Sequence, residues 1–447
     1  MDLKDIRDRI NHRSTVGNPP RTVALVAAHF PPSTVAGVHR VRHLAKHLPA
    51  AGWTPVVICV DEACHEEQLD FGLAALVPAA LEVIKVQALP SALCRPLGVG
   101  DLSLRAWGTL RAATRDLLQS RPVDAVLITG APFYSMLMAP RLRREFKVPV
   151  VLDFQDPWVS RWGDAQPRLS KAGLSHRLAT LAEPRAVRGA SFVTSVSQVQ
   201  NDEMADRYPW LDRRKMAAIP IGGDPSDFEY LRAHAGAPVD ALEAGRINLS
   251  FVGTFMPRSA PLLRVVFNAF NRLRKSEPGL AGHIRLNFIG TSNQPSDRAR
   301  DAVRPLADSL GLGESVREIP RRLPYLEALS VLTRAQGILL IGSDEAHYTA
   351  SKIYPALMSG RPFLSLFHRQ SSSHAILGAA GGGLAHAFEN EAELQALEGP
   401  IAASLRILAL SPETLGKADP AAYAEFEAAA VARKFAKILD EAASNAR

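Results

Sequence analysis

At 447 residues the chain is long enough for two or three domains. Hydrophobic residues at 47% and charged residues at 22% form an ordinary globular balance, which excludes wholesale disorder and any need for metal or disulfide staples. The net charge of +7 is carried by one half: residues 1–223 hold 28 Lys+Arg against 21 Asp+Glu, and residues 224–447 hold 24 of each. That half is expected to face something anionic or to carry a solvated basic surface.

The opening MDLKDIRDRINHRSTVGNPPR alternates in charge without an apolar core and does not read as a secretory signal. Cys59, Cys64 and Cys94 are odd in number and lack CxxC spacing, which fits a reducing compartment better than a disulfide framework or zinc ribbon. No clean apolar run reaches the roughly 18 residues of a membrane span. A cytoplasmic protein, at most peripheral on the inner membrane face, is expected.

Thr22–Ala28 reads as a buried strand, followed by a loop and a helix from about Val38 to Leu48. Pro55–Val60, Val123–Thr129, Val148–Asp153 and Ser191–Val196 continue the series of apolar strands. Between them, from Leu104, the positions Leu104, Trp107, Leu110, Leu117 and Leu118 recur at helical spacing beside Arg105, Arg111 and Arg115. That pattern suits an interfacial helix on an anionic membrane or one packed on the sheet. After a polar stretch from Pro220 to Arg246 the pattern restarts with strands Ile247–Gly253 and Ile284–Gly290 around a helix Leu262–Arg274. Strands Gln336–Ile341 and Pro362–Phe367 follow, and Ala421–Ala443 has a helical period. Near-continuous apolar strands separated by helices predict two α/β units with parallel sheets covered on both faces.

In such sheets ligands bind beyond the carboxyl ends of the strands. The loop His29–Gly37 precedes a helix, and a glycine there lets backbone N–H groups approach an anion. The next helix carries His39, His43 and His47 at i, i+4 and i+8, beside Arg40, Arg42 and Lys46. Neighbouring cations disfavour a metal, so a basic solvated face and no metal are expected. Past Val148–Asp153 lie Asp153, Asp156 and Trp158, placed to meet a hydroxylated ligand, with Asp156 orienting a hydroxyl or merely capping a turn. In the second unit Gly253 ends a strand and Arg258 follows it, suited to a phosphate. Lys352, in Ser351-Lys-Ile-Tyr-Pro, is placed near a helix start.

Five features together resemble the GT-B retaining glycosyltransferases of family 4. They are the Phe30-Pro-Pro…Gly37-Val-His-Arg opening, the Ile219-Pro-Ile-Gly-Gly-Asp-Pro-Ser-Asp-Phe228 hinge and the Phe251-Val-Gly-Thr-Phe strand. The Ser351-Lys-Ile-Tyr…Gly360-Arg-Pro block and the closing helix around Ala432–Leu439 complete the set. The resemblance implies two Rossmann-like domains facing each other across a cleft: residues 1–220 on the acceptor side and 221–420 holding the nucleotide-sugar donor, with the last helix, 421–443, packing back on the first. It implies a metal-independent, hexosyltransferase-type enzyme without a cofactor, passing sugar to a glycan or lipid-linked acceptor in polysaccharide or glycoconjugate assembly, with no nucleic-acid partner. Donor contacts would come from Gly37, Gly253, Thr254, Arg258, Gly290, Ser351 and Lys352, and acceptor contacts from Asp153, Asp156 and Trp158, with Asp156, Arg258 and Lys352 as the catalytic residues. The family's usual pair of glutamates falls at His347 and Pro355, so ribose and sugar recognition must differ. A nucleotide-sugar epimerase or hydrolase of the same fold, or a degenerate nucleotide-sugar-binding partner protein, are the alternatives.

Overall fold

The computed structural model describes residues 21–234, 240–292, 294, 297–345 and 350–445. His347 therefore lies outside the described residues. Thirteen strands among those described form two parallel sheets. The first contains β1 (Arg21–Val26), β2 (Trp53–Val60), β3 (Glu82–Val86), β4 (Ala125–Gly130), β5 (Val150–Phe154), β6 (Phe192–Ser195) and β7 (Met216–Ala218), in the order β3-β2-β1-β4-β5-β6-β7. The second contains β8 (Ile247–Val252), β9 (Ile284–Ile289), β10 (Val316–Ile319), β11 (Gly337–Ile341), β12 (Phe363–His368) and β13 (Gly383–Phe388), ordered β10-β9-β8-β11-β12-β13. Both are doubly wound Rossmann-like sheets. The interior strands read as continuous apolar runs because helices cover both faces: every residue of β4, β5 and β11 is buried.

The chain crosses between the sheets twice, side by side. The Gly223 N–H donates to the Phe426 carbonyl at 3.1 Å, and the Ala428 N–H returns to the Gly223 carbonyl at 2.7 Å. The predicted closing helix starts later than its periodicity suggests, at Ala428, and runs to Ser444. Residues before it form short 3-10 turns whose Tyr423 packs on the second sheet. Val431, Phe435, Ile438 and Leu439 pack beside Val23, Leu25 and Trp53 of the first sheet.

The helix Trp107–Ser120 is where a membrane-facing surface was one expectation, and the structure assigns those residues elsewhere. Leu110 and Leu117 are buried in the core of the first sheet. Arg105 is buried and donates to the Leu89 and Cys64 carbonyls, at 2.8 and 3.4 Å. Arg111 and Arg115 pair with Glu145. The helix covers the sheet, and its two arginines share the one carboxylate of Glu145.

The helix Val38–His47 is likewise no solvated basic face. Arg40, Arg42 and His43 are buried. Arg42 forms a two-pronged pair with Asp227 of the helix Pro225–Ala233, at 2.8 and 2.6 Å, and the Tyr325 hydroxyl donates to the same carboxylate at 2.9 Å. Lys46 and His47 meet Asp224, at 3.0 and 2.9 Å. Arg40 donates to the Pro220 carbonyl at 2.9 Å and to that of Ile219. The cations are buried because they fasten the first domain to the hinge and to the second domain.

Candidate functional site

Two cavities adjoin where the carboxyl ends of the two sheets face each other, and Ser351 lines both. The first has a volume of about 1020 Å³ and is built on the loops after β1, β4 and β5. Its apolar wall is an aromatic group: Phe133 stacks on Trp158 with ring centres 5.3 Å apart, and Tyr134 meets Trp158 edge-on at 5.4 Å. His29, Gly37, Gln155 and Asp156 supply its polar side. Asp156 opens to the cleft, yet the surrounding protein pushes its carboxyl above the usual range by burial. Asp156 and Trp158 both line this cavity.

Asp153 does not reach this cavity. It is buried in the sheet, with one oxygen accepting from Arg40 at 3.1 Å and Thr129 at 3.0 Å, and the other from Thr194 at 2.8 Å. Its lone pairs are spent on holding β4, β5, β6 and the first helix together, which corrects its assignment to the acceptor.

The second cavity, about 400 Å³, lies over the ends of β8 and β9 and is lined by Gly253, Thr254, Gly290, Lys352 and Pro355. Gly253 and Gly290 have φ of 130° and 72°, which favour glycine. Their N–H groups are already taken by the Ile289 and Ile319 carbonyls, both at 2.8 Å. These glycines therefore supply backbone shape and room, not free donors. Across the cleft, among the described residues, the Ala36 and Gly37 N–H groups also have no hydrogen-bond partner, while those of Val38 and His39 turn back to Val35 and Ala36.

Lys352 lies at the wall of this cavity, its Nζ 3.4 Å from the Thr254 carbonyl. It has no carboxylate partner among the described residues, and burial lowers its pKa to about 7. Arg258 is placed differently. It lies outside both cavities, half exposed, with its guanidinium held by Asp344 at 2.7 Å and Glu345 at 2.8 Å. The arginine that does line the second cavity is Arg322, in the loop after β10. Burial lowers its pKa, and it donates to the Thr34 carbonyl at 2.7 Å. Beside it, the Tyr325 N–H donates to Asp70 at 2.6 Å, so the first domain roofs the second cavity. His39 packs against Tyr325 with ring centres 4.6 Å apart and planes tilted by 47°. Burial, with Arg42 and Arg322 nearby, lowers the His39 pKa to about 3, so this ring is neutral and adds no charge.

Three further residues come together at the rim of the first cavity, where ligand atoms of His29, His65 and Glu67 lie within 4.8 Å of one another. Arg322 lies in the loop after β10, Tyr325 opens the helix that follows it, and His29, His65 and Glu67 lie in loops after β1 and β2; none of them carries a motif in the sequence.

Known proteins fit this architecture. Residues 36–222 match a family model described as a glycosyl transferase 4-like domain. A D-inositol 3-phosphate glycosyltransferase of Actinosynnema mirum is 29% identical over 149 residues, covering 32% of this chain and 34% of that protein. The chain thus aligns with about a third of that relative's length. Among solved structures, Anabaena HepE in complex with UDP-glucose superposes with a TM-score of 0.59 at 14% identity, over 94% of this chain and 99% of the other. A UDP-forming trehalose-phosphate synthase from Burkholderia xenovorans gives 0.61 at 14% identity, over 95% and 99%. WaaG, a glycosyltransferase of lipopolysaccharide biosynthesis, gives 0.53 at 15% identity, over 95% and 99%. Two facing Rossmann-like domains, with a closing helix that packs back on the first, give the chain the GT-B fold, and residues 36–222 match the model of a glycosyl transferase 4-like domain.

Proposed function

We propose that the protein transfers a sugar from a nucleotide-sugar donor to a hydroxyl of a glycan or lipid-linked acceptor, with retained anomeric configuration. The observation that carries the reading is Lys352: a half-buried ammonium with no carboxylate partner among the described residues, in a cavity that opens through Ser351 onto a second, aromatic one. An unpaired cation in such a place is costly unless an anion completes it. We divide the chain at 220/221, with the donor on the second domain.

In this reading Lys352 and Arg322 hold the donor diphosphate, and the Ala36 and Gly37 N–H groups close on it from the first domain. As the bond from the anomeric carbon to the diphosphate oxygen breaks, its electron pair leaves with the diphosphate, and these groups stabilise the charge without a metal. The acceptor sugar stacks on the Trp158 wall, and Asp156 orients its hydroxyl. A carboxyl raised by burial is better matched to proton exchange near neutral pH than an ordinary aspartate. Closure of the domains excludes water, favouring transfer over hydrolysis.

The uridine nucleotides named for HepE and for the Burkholderia synthase make UDP the first ligand to test. Thermal stabilisation by UDP, with donor-dependent sugar transfer to a glycan panel, is the expected result. No stabilisation by any nucleoside diphosphate refutes the donor site; fast free-sugar or epimer formation without acceptor favours the epimerase or hydrolase.

We place the partner membrane surface on the helix Lys171–Arg188. Leu174, Leu178 and Leu181, at i, i+4 and i+7, are 47%, 57% and 57% exposed, and Trp162 and Leu169 extend the patch. Exposed Arg168, Lys171, Arg177 and Arg185 flank it, and Trp162 and Lys171 also line the first cavity. An apolar stripe among cations suits an anionic bilayer, and this one borders the mouth through which a lipid-linked acceptor would enter. The three cysteines are unpaired thiols, which supports a cytoplasmic location.

A further inference from the structure

Five cations of the first domain gather at one cavity away from the cleft. Arg40 and Arg42 are buried against Asp153 and Asp227, and Arg111 and Arg115 share Glu145. Arg143, Arg144, Lys147, Arg188 and Lys215 are instead exposed, and among the described residues none of them makes an ion pair. All five line a cavity of about 530 Å³. Pro149, Ser191 and Lys215 line it too and immediately precede β5, β6 and β7, so it opens at the amino ends of the strands. The cleft lies beyond their carboxyl ends, at the opposite end of the first sheet.

Close packing of two helices builds the cluster. Arg143 lies on the helix Ala139–Phe146 and donates to the Ala190 carbonyl at 3.2 Å, beside the end of the helix Lys171–Arg188. Gly189 lets the two helices approach, since a Cβ added there would lie 2.4 Å from the Pro140 nitrogen. The Arg188 guanidinium sits 4.7 Å from the centre of the Trp210 ring, whose face steadies it without neutralising it. Lys147 follows the helix Ala139–Phe146 with φ of 55°, the one non-glycine residue with positive φ among those described. Glycine is the favoured residue at that left-handed position. The backbone alone would favour glycine there, and what lysine adds is an ammonium at the cavity.

Helix dipoles do not account for these cations. The helices Ala139–Phe146, Lys171–Arg188 and Ala428–Ser444 all end at this cavity, and each end carries roughly half a negative charge. Among the lining side chains five cations face the single carboxylate of Glu441, so three helix ends offset less than half of the excess. An anion from outside the chain completes the balance. We propose that this cavity binds a phosphate-bearing polyanion, either a polyphosphate or a phosphate monoester. Three arginines offer paired N–H groups and two lysines offer point charges, a donor set suited to phosphate oxygens. A concave wall of five cations focuses its field inward and favours more than one negative charge, which a single phosphate diester does not bring. The site does not depend on what the cleft binds.

Calorimetry with inorganic tripolyphosphate on the full chain tests the site. The double variant Arg322→Ala with Lys352→Ala removes the cations of the second cavity, so that phosphate binding there is set aside. Binding is expected to persist in that variant, to weaken with salt, and to fall about tenfold or more when Arg144→Ala and Lys147→Ala are added. Lys147→Gly alone should weaken binding at a Tm equal to or above that of the wild type, because it relieves the left-handed backbone. Vesicles then separate a free ligand from a lipid headgroup. They are made of phosphatidylcholine carrying phosphatidic acid, a phosphate monoester, and the chain carries Leu174→Ser and Leu178→Ser to silence the neighbouring apolar stripe. Retention that is lost with Arg144→Ala and Lys147→Ala assigns the site to a headgroup. Retention indifferent to that pair, beside tripolyphosphate binding that depends on it, assigns the site to a free ligand. The proposal is overturned if Arg144→Ala with Lys147→Ala changes neither tripolyphosphate binding nor vesicle retention. Both side chains are exposed, so circular dichroism should show the fold intact. Failure of all nucleotides to bind would strike the donor reading and leave this measurement standing.

Discussion

The Lys352 ammonium lies 4.1 Å from the centre of the buried Phe251 ring. A ring face stabilises a cation only partly, and burial still lowers this lysine to about 7. A diphosphate beside it would favour the charged form and raise that value again. Binding should therefore take up a proton wherever free Lys352 is neutral. Nucleoside diphosphate affinity is expected to hold below pH 7 and to weaken by up to tenfold per unit above it. Calorimetry at several pH values in buffers of different ionisation enthalpy reads both the slope and the proton uptake. A flat profile between pH 7 and 8.5 would remove Lys352 from the donor site.

Arg322 and Arg258 can be separated by substitution. Arg322 lines the second cavity, whereas Arg258 lies outside it, paired with Asp344 and Glu345. Arg322→Ala and Lys352→Ala should each remove about 2–4 kcal/mol of transition-state stabilisation. Arg258→Ala should cost much less, since its charges are already paired. Steady-state kcat/KM, with circular dichroism as the control for folding, gives the order; a larger loss in Arg258→Ala would return the role to that residue.

The pattern of what was legible in the sequence is physical. The interior strands β1, β2, β4, β5, β6, β8, β9, β11 and β12 announce themselves as apolar runs, because both their faces are buried. The four strands without that signal, β3, β7, β10 and β13, are the four sheet edges. Two of them carry charge, Glu82-Val-Ile-Lys-Val86 and Val316-Arg-Glu-Ile319, and β7 is only three residues long. Missing β10 hid the loop after it, and with it Arg322. Glu67 and His65 follow a strand that was legible, but a carboxylate and a histidine two residues apart carry no motif, and only the fold brings His29 to them. Arg40 and Arg42 read as solvated because charge alone does not reveal a partner 113 or 185 residues away.

The buried Arg42–Asp227 pair makes a stability prediction. Asp227→Asn leaves the Arg42 guanidinium buried without its counter-charge, which costs on the order of 3–5 kcal/mol. Because the pair joins the first helix to the helix Pro225–Ala233, the loss should appear as a lower Tm and as an increased radius of gyration in solution scattering. Replacing both partners, with Arg42→Met and Asp227→Leu, should recover much of the stability, since neither charge then remains unpaired. A double variant as unstable as Asp227→Asn would show that hydrogen bonding to Tyr325, not charge, fastens this contact.

The membrane surface can be located by contrast between two helices. On Trp107–Ser120 the apolar residues Leu110 and Leu117 are core, and the arginines are paired. On Lys171–Arg188 the leucines face outward, and among the described residues Arg168, Lys171, Arg177 and Arg185 make no ion pair. Burying such leucines in lipid gains about 1.5–3 kcal/mol each at most. Every cation near an anionic surface adds on the order of 1 kcal/mol, screened by salt. Together they predict reversible binding to vesicles containing phosphatidylserine or phosphatidylglycerol and little to neutral ones. Leu174→Ser with Leu178→Ser should weaken binding even at low salt, while Arg168→Glu with Arg177→Glu should remove its anionic preference. Because these side chains are exposed, both double variants should keep the wild-type Tm and nucleotide affinity. Arg111→Glu with Arg115→Glu, on the packed helix, should lower Tm through repulsion from Glu145 and leave the helix Lys171–Arg188 intact. Vesicle co-sedimentation then assigns the surface: loss only in that last variant would move it to Trp107–Ser120, and equal recovery in the supernatant with neutral and anionic vesicles would end the proposal.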